Sequence, residues 1–108
     1  MYVYFYSTLG TSGSTDSLLN TPQGIARDSN SGVIYIADAY NNRIMSYLPK
    51  ATSGTRVAGG NIAGLSNTTL NRAWACHFDS ITNSLLIANG FGRNVVRWTL
   101  SNSYWTSM

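Results

Sequence analysis

The chain has 108 residues, which is enough for one small domain. Seven Lys and Arg residues stand against four acidic residues, so the net charge is +3, and the basic residues are scattered. A nucleic-acid-binding domain usually clusters its Lys and Arg residues, so the charge gives little support to that class. Amphipathic helical periodicity is absent and Ser, Thr, Asn and Gly are abundant, which is typical of many short strands joined by turns.

The N-terminal residues 2–6 are three Tyr, one Val and one Phe. This stretch is too short for a signal-peptide core or a membrane span, and it lacks a basic flank. We therefore predict no membrane segment and interpret residues 1–9 as a lone strand of a neighbouring structural unit.

The cysteine content bears on the compartment. Cys76 is the only cysteine, which excludes an internal disulfide and favours a reducing, cytoplasmic compartment. One glycosylation sequon, Asn67-Thr68-Thr69, leaves secretion as the alternative.

Residues 24–47 carry the clearest strand pattern. Apolar stretches at 25–27, 33–37 and 43–47 are separated by two clusters of turn-forming residues, 29–32 and 39–42. The middle stretch is uncharged and dense in β-branched and aromatic residues. It predicts a strand that is buried on both faces at the centre of a small sheet.

The chain then repeats this unit at an offset of 51 residues (13 to 64). Several independent landmarks share this register without a gap, so the repeat is a strong signal. The matching positions are Gly13 with Gly64, Leu19-Asn20 with Leu70-Asn71, Asp28-Ser29 with Asp79-Ser80, and Ile36-Ala37 with Ile87-Ala88.

Each repeat contains four strand candidates. They span 25–27, 33–37, 43–47 and 56–58 in the first repeat, and 75–78, 85–88, 95–99 and 104–106 in the second. Four antiparallel strands per unit of about 40–50 residues are the pattern of a β-propeller blade. A β-sandwich or another small barrel would explain the number of strands but not the constant register. We therefore predict an all-β partial propeller, with blade one over residues 10–60 and blade two over residues 61–108.

The first repeat contains three characteristic segments: Pro22-Gln23-Gly24-Ile25-Ala26-Arg27-Asp28, Ile34-Tyr35-Ile36-Ala37-Asp38 and Asn41-Asn42-Arg43-Ile44. They resemble the NHL repeat, whose pattern is P-x-G-I-A-x-D, then I-Y-V-A-D, then N-x-R-I. The resemblance implies a propeller, commonly six-bladed, in which each blade packs face to face on its neighbours.

The second repeat departs from this pattern. Ala73 and Ala75 replace the Pro and the Gly, Asn89 replaces the second Asp, and Arg93-Asn94 reverses the Asn-Arg order. These departures concern the turn contacts of the second blade rather than its strands.

The acidic residues are predicted to stabilise turns. Asp28 and Asp79 each end the first strand of a repeat, so we expect their carboxylates to accept backbone N–H hydrogen bonds. Asp38 and Arg43 bracket the second turn, and we expect a partly exposed ion pair worth ~0.2–1 kcal/mol.

No catalytic or metal-binding constellation is predicted. His77 lacks the companion ligands that zinc needs. Cys76 and His77 are consecutive strand residues that point to opposite faces, so they do not form a nucleophile and base, and Cys76 is interpreted as a core residue. We predict no metal, no cofactor and no catalytic residue.

Strand polarity predicts one recognition face. If successive strands alternate in direction, the turns between second and third strands lie at the same end as the connections between blades. Loops on a rigid scaffold are favoured places for binding residues. The alternative is that Trp74 and Phe91 pack between the blades. The predicted recognition residues are Tyr40, Asn41, Asn42, Arg72, Trp74, Phe91 and Arg93.

The leading functional hypothesis is a non-enzymatic binding or scaffold module that presents this face to a protein partner. One alternative is RNA binding through the Arg and aromatic residues, as in NHL domains of tripartite-motif proteins. Another is a fragment of a propeller hydrolase or lyase, which needs more acids or His than this chain has.

Two blades alone would leave apolar outer faces in water, so we predict further association. The partner is either the remaining blades of the same chain or a homo-oligomeric ring of copies. We favour the first, because the chain begins with a lone strand and stops just after a fourth-strand candidate.

Overall fold

The computed structural model describes residues 11–60, 63–64, 66–102 and 104–107. The predicted strand at residues 2–6 lies outside them. Within the described residues the chain forms eight strands and one 3₁₀ turn at Ala39–Asn41. The strands are β1 (Pro22–Arg27), β2 (Ile34–Asp38), β3 (Arg43–Tyr47), β4 (Thr55–Gly59), β5 (Ala73–Asp79), β6 (Ser84–Asn89), β7 (Asn94–Thr99) and β8 (Thr106–Ser107).

The eight strands form two four-stranded antiparallel sheets in the orders β1-β2-β3-β4 and β5-β6-β7-β8. This confirms the predicted all-β fold with two propeller-type blades, and we call the two sheets blade one and blade two. Strand β2 is central and is buried over residues 35–38, as predicted. The last strand begins at Thr106 rather than at Tyr104, because Tyr104 lies in a bend and only the last two strand residues pair with β7.

The 51-residue register recurs in the hydrogen bonds. The Asn30 and Ile81 N–H groups donate to Asp28 and Asp79 at 2.9 and 3.0 Å. The hydroxyls of the following Ser31 and Thr82 donate to the same two carboxylates, at 2.8 Å in both blades. The prediction that the two Asp residues stabilise equivalent turns is therefore confirmed.

The two blades pack face to face through apolar side chains. Tyr35, Ala37 and Ile44 of blade one form one core with Leu85 and Ile87 of blade two, together with their buried neighbours. The first strands of the two blades, β1 and β5, are the inner strands, and they approach so closely that a Cβ on Gly24 would lie 2.7 Å from the Ala75 Cα. Glycine at this position therefore permits the close contact between β1 and β5.

The expectation of a partly exposed Asp38–Arg43 pair is wrong. The Arg43 Nε atom donates to Asp38 Oδ2 at 2.7 Å, and the two side chains are 1% and 0% exposed. The rest of the guanidinium donates to the carbonyls of Ser14, Thr15 and Leu18 at 2.9–3.0 Å. The pair is buried because the loop before β1 folds over it and satisfies the Arg43 donors.

Candidate functional site

The two β-hairpin turns, 39–42 and 90–93, lie at one end of the blades, which we call the upper end. Pairing of Pro22 with Asp38 and of Ala73 with Asn89 places the starts of β1 and β5 at this same end. The predicted alternation of strand direction therefore brings these turns and the inter-blade connection together. Asp28 and Asp79 lie at the opposite, lower end.

An open groove lies at the upper end where blade one meets blade two. Its volume is about 400 Å³. The three aromatic side chains among its described lining residues, Tyr40, Trp74 and Phe91, are 50%, 49% and 57% exposed. The residues that line this groove, which we call the aromatic groove, are Gln23, Tyr40, Arg72, Trp74 and Phe91.

Arg72 occupies the middle of the aromatic groove. Its guanidinium carbon lies 4.0 Å from the centre of the Tyr40 ring and 5.5 Å from that of Phe91. The Trp74 ring meets Phe91 edge-on, with centroids 5.8 Å apart and planes at 78°. Cation–π contacts of this kind hold an arginine without using its N–H donors.

The backbone beneath the groove is held by hydrogen bonds within and between the blades. Arg72 has a φ of 54°. Its N–H donates to Asn42 Oδ1 at 2.9 Å, which joins the blades, and its carbonyl accepts from the Gly90 N–H at 3.0 Å. The Tyr40 and Phe91 N–H groups donate to the carbonyls of Asn20 and Asn71. These bonds fix the positions from which the groove side chains project.

Trp74 rests on Gly90, because a Cβ at Gly90 would lie 2.4 Å from the Trp74 ring. The alternative prediction is that Trp74 and Phe91 pack between the blades. Both side chains instead remain about half exposed at the mouth of that interface.

Three of the seven predicted recognition residues lie outside the groove. Asn41 is buried and donates to Gly13 O and Asp38 Oδ2 at 2.7 and 2.8 Å. Asn42 is buried and accepts the inter-blade hydrogen bond described above. Arg93 is exposed in a separate shallow cleft beside Asn94 and Val95. The structure thus brings together Tyr40, Arg72, Trp74 and Phe91.

Gln23 is the lining residue that sequence reasoning missed. It precedes Gly24 in β1 and is the repeat equivalent of Trp74, at the 51-residue offset (23 to 74). Extending the repeat alignment to this position would have identified it, because equivalent positions of successive blades meet at the upper end.

The described carboxylates lie away from the groove surface. Asp38 is buried against Arg43. Hydrogen bonds from the Ser31 hydroxyl and the Asn30 N–H lower the pKa of Asp28 at the lower end. The Thr82 hydroxyl, followed by Arg97, lowers the pKa of Asp79. The Asp16 carbonyl accepts from the Gly54 N–H next to the start of β4, and Asp16 does not line the groove.

The remaining reactive side chains do not form a second site. Cys76 is half-buried between the blades, where its thiol contacts the Tyr35 carbonyl at 3.7 Å and burial raises the thiol pKa to about 11. Among the described residues, no three His, Cys, Asp or Glu side chains are grouped so that they could hold a metal ion. In the same part of the chain, no helix is long and apolar enough to cross a membrane.

Comparison with known families agrees with this architecture. Residues 19–45 match the NHL repeat. This segment runs from the end of the loop before β1 through most of β3. No curated protein matches the chain. The match to one NHL repeat in blade one and the two meandering four-stranded sheets together support an NHL-type β-propeller architecture.

Proposed function

We propose that the chain is a non-enzymatic protein-interaction module that binds its partner at the aromatic groove. The observation that carries this proposal is the cluster of three half-exposed aromatic rings around Arg72. Tyr, Trp and Arg are the residues most enriched at the energetic centres of protein interfaces. A rigid sheet scaffold that presents them from two turns and from the start of β5 supports binding rather than chemistry.

The charge distribution supports a protein partner over RNA. At the upper end, two of the described arginines have guanidinium groups that are not buried, Arg72 and Arg93. These two side chains lie in different clefts. Binding to a nucleic-acid strand requires cations along its phosphates together with stacking platforms. In the groove, Tyr40 and Phe91 already stack on Arg72, so their faces are partly used within the protein.

The proposal is tested by selecting short random peptides from a display library against the full chain. Binding of a selected peptide is then measured for the double variant Trp74→Ser/Phe91→Ser and for the control Ile81→Ser. Ile81 is 94% exposed in the lower turn that follows β5, so its replacement removes an exposed apolar residue away from the groove.

The groove variant should lose binding and the control should retain it. Equal loss in both variants, or no selected peptide together with salt-sensitive binding of an oligouridine RNA, would overturn the proposal.

A further inference from the structure

We propose that the aromatic groove recognises an acidic linear peptide. The carboxylate of an internal Asp or Glu side chain would bind the Arg72 guanidinium, and an adjacent apolar side chain would pack on Trp74 and Phe91. This inference rests on the proposed function and adds the chemistry of the ligand.

The first argument is the state of the Arg72 donors. The guanidinium lies over the Tyr40 ring and near Phe91, yet no described residue accepts a hydrogen bond from its side chain. A guanidinium that stacks through its face keeps its N–H groups in the plane, at the edge. Those groups match the two oxygens of a carboxylate in a bidentate arrangement.

The second argument is the absence of a competing acid. Of the described carboxylates, Asp38 is buried in its pair with Arg43, Asp28 and Asp79 lie at the lower end, and Asp16 does not line the groove. The upper end therefore presents uncompensated positive charge at Arg72, which complements an anionic partner.

The backbone hydrogen bonds around the groove favour a side-chain carboxylate over a C-terminal carboxylate as the ligand. The N–H groups of Tyr40, Arg72, Gly90 and Phe91 all donate to acceptors within the protein. A C-terminal α-carboxylate is usually captured by free backbone N–H groups, and none of these four is free to do so. Among the described lining residues, Arg72 is the charged group that can bind an anion, which suits a side-chain carboxylate within an extended peptide.

The number of basic side chains in the groove favours a carboxylate over a phosphate as the bound anion. Phosphorylated motifs are usually held by clusters of Arg residues, because the phosphate is nearly dianionic. Among the described residues that line the aromatic groove, Arg72 is the one basic side chain, and Arg93 lies in a separate cleft. A single guanidinium balances the single negative charge of an Asp or Glu.

The aromatic rings give the adjacent subsite its character. Trp74 and Phe91 expose about half of their surface beside the guanidinium. Burying an apolar peptide side chain there removes this surface from water and shields the charged pair, which strengthens the hydrogen bonds. The Gln23 amide also lines the groove and can pair with peptide backbone groups.

The test uses the full chain and the peptides that it selects from a library of short random sequences. We expect enrichment of Asp or Glu next to an apolar residue. Fluorescence anisotropy then compares each selected peptide with its Asp→Asn or Glu→Gln version, and the wild-type chain with Arg72→Gln and the control Arg93→Gln. Neutralising either partner should weaken binding roughly 10- to 100-fold, while Arg93→Gln should change it less than about threefold.

The peptide substitution keeps the test valid if Arg72→Gln fails to fold, which circular dichroism would show. Selected peptides that lack acids, or tighter binding when phosphoserine replaces the acid, would overturn the carboxylate assignment. If those peptides still lose binding in Trp74→Ser/Phe91→Ser, the proposed function stands. If no peptide is selected and oligouridine binds instead, both proposals fail.

Discussion

Arg43 Nε donates to Asp38 Oδ2 at 2.7 Å inside blade one, and the equivalent positions of blade two hold Asn89 and Asn94. Asn89 Nδ2 donates to Asn94 Oδ1 at 3.1 Å, so blade two replaces a buried ion pair with a neutral hydrogen bond. Asp38 Oδ1 nevertheless accepts from the Asn20 N–H, and Asn89 Oδ1 accepts from the equivalent Asn71 N–H, both at 2.7 Å. The ion pair therefore adds to a contact that both blades share.

The first prediction concerns the buried pair. Arg43→Ala leaves the Asp38 charge buried without its partner, so we expect the free energy of unfolding to fall by about 3–5 kcal/mol. Urea unfolding followed by circular dichroism at one fixed protein concentration measures it. The control is Arg97→Ala, whose pair with Asp79 is partly exposed and should cost no more than about 1 kcal/mol.

The double variant Asp38→Asn/Arg43→Asn reproduces the pair found in blade two. It should be more stable than Arg43→Asn alone, because no unpaired charge remains buried. A double variant whose loss equals the sum of the two single losses would show that the two side chains do not interact.

The second prediction concerns the contact between the inner strands. In Gly24→Ala the new Cβ meets the Ala75 Cα at 2.7 Å and the Trp74 carbonyl at 3.0 Å. Backbone atoms cannot move aside as a flexible side chain does, so we expect a loss of about 1–3 kcal/mol and looser packing between the blades. Gly60→Ala is the matched control, since its nearest contact would lie at 3.7 Å. Similar unfolding curves for both variants would contradict the prediction.

The fold follows from local patterns that the sequence displays directly. The turn residues around Asp28 and Asp79 and the apolar stretches between them define strands, and the constant offset defines two copies of one sheet. Strand polarity then predicts that Tyr40 and Phe91 share one end of the molecule.

The roles of Asn41 and Arg43 could not be read in this way. Asn41 bonds the Gly13 carbonyl and Arg43 the Ser14 carbonyl, 28 and 29 residues away along the chain. Those carbonyls belong to a loop without a periodic pattern, so only the folded chain shows that it covers the turn. Turn propensity alone therefore predicts that Asn41 lies at the surface, although tertiary contacts bury it.

The third prediction concerns acid stability. Hydrogen bonds lower the pKa of Asp79 in the folded chain below its ordinary value of 3.8, chiefly the bond from Thr82 and then that from Arg97. The ionised form is favoured by folding, so its contribution to stability is present above 3.8 and is lost as the pH falls through the lower, folded value. The melting temperature should therefore decrease as the pH is lowered from ~5 to ~2.

Asp79→Asn should lower the melting temperature near neutral pH and flatten its decrease in acid. Asp16→Asn is the control, because no described side chain donates to that carboxylate. Parallel melting curves for Asp79→Asn and the wild-type chain across this pH range would contradict the prediction.

The fourth prediction concerns the outer face of blade two. In blade one, Gly24, Ala37 and Ile44 lie side by side on the sheet face that packs against blade two, and Ile44 is 0% exposed. At the equivalent position in blade two, Val95 is 49% exposed on the outward face. The expectation that the outer faces are open holds at Val95 and, on blade one, at Ile25, which pairs with Ile36 and is 67% exposed.

On blade one, Ile36, Met45 and Tyr47 lie on the other face of the sheet and are buried. Leu19, from the loop before β1, packs against this cluster. We therefore expect an association that covers the Val95 face of blade two and the exposed Ile25 of blade one, through further blades or through copies of this chain.

Light scattering of the full chain, with circular dichroism on heating, tests this expectation. A stable trimer would indicate a closed ring with two blades from each copy, whereas an aggregate or unfolded chain would indicate that further blades are needed. Val95→Arg places a charge on the outer face and should break up a trimer, because the charge would be buried in the contact. Ile81→Arg, at a residue 94% exposed in the lower turn, should leave the assembly unchanged. A folded monomer with a cooperative melt would show that blade two needs no covering, since its exposed Val95 face would then be stable in water.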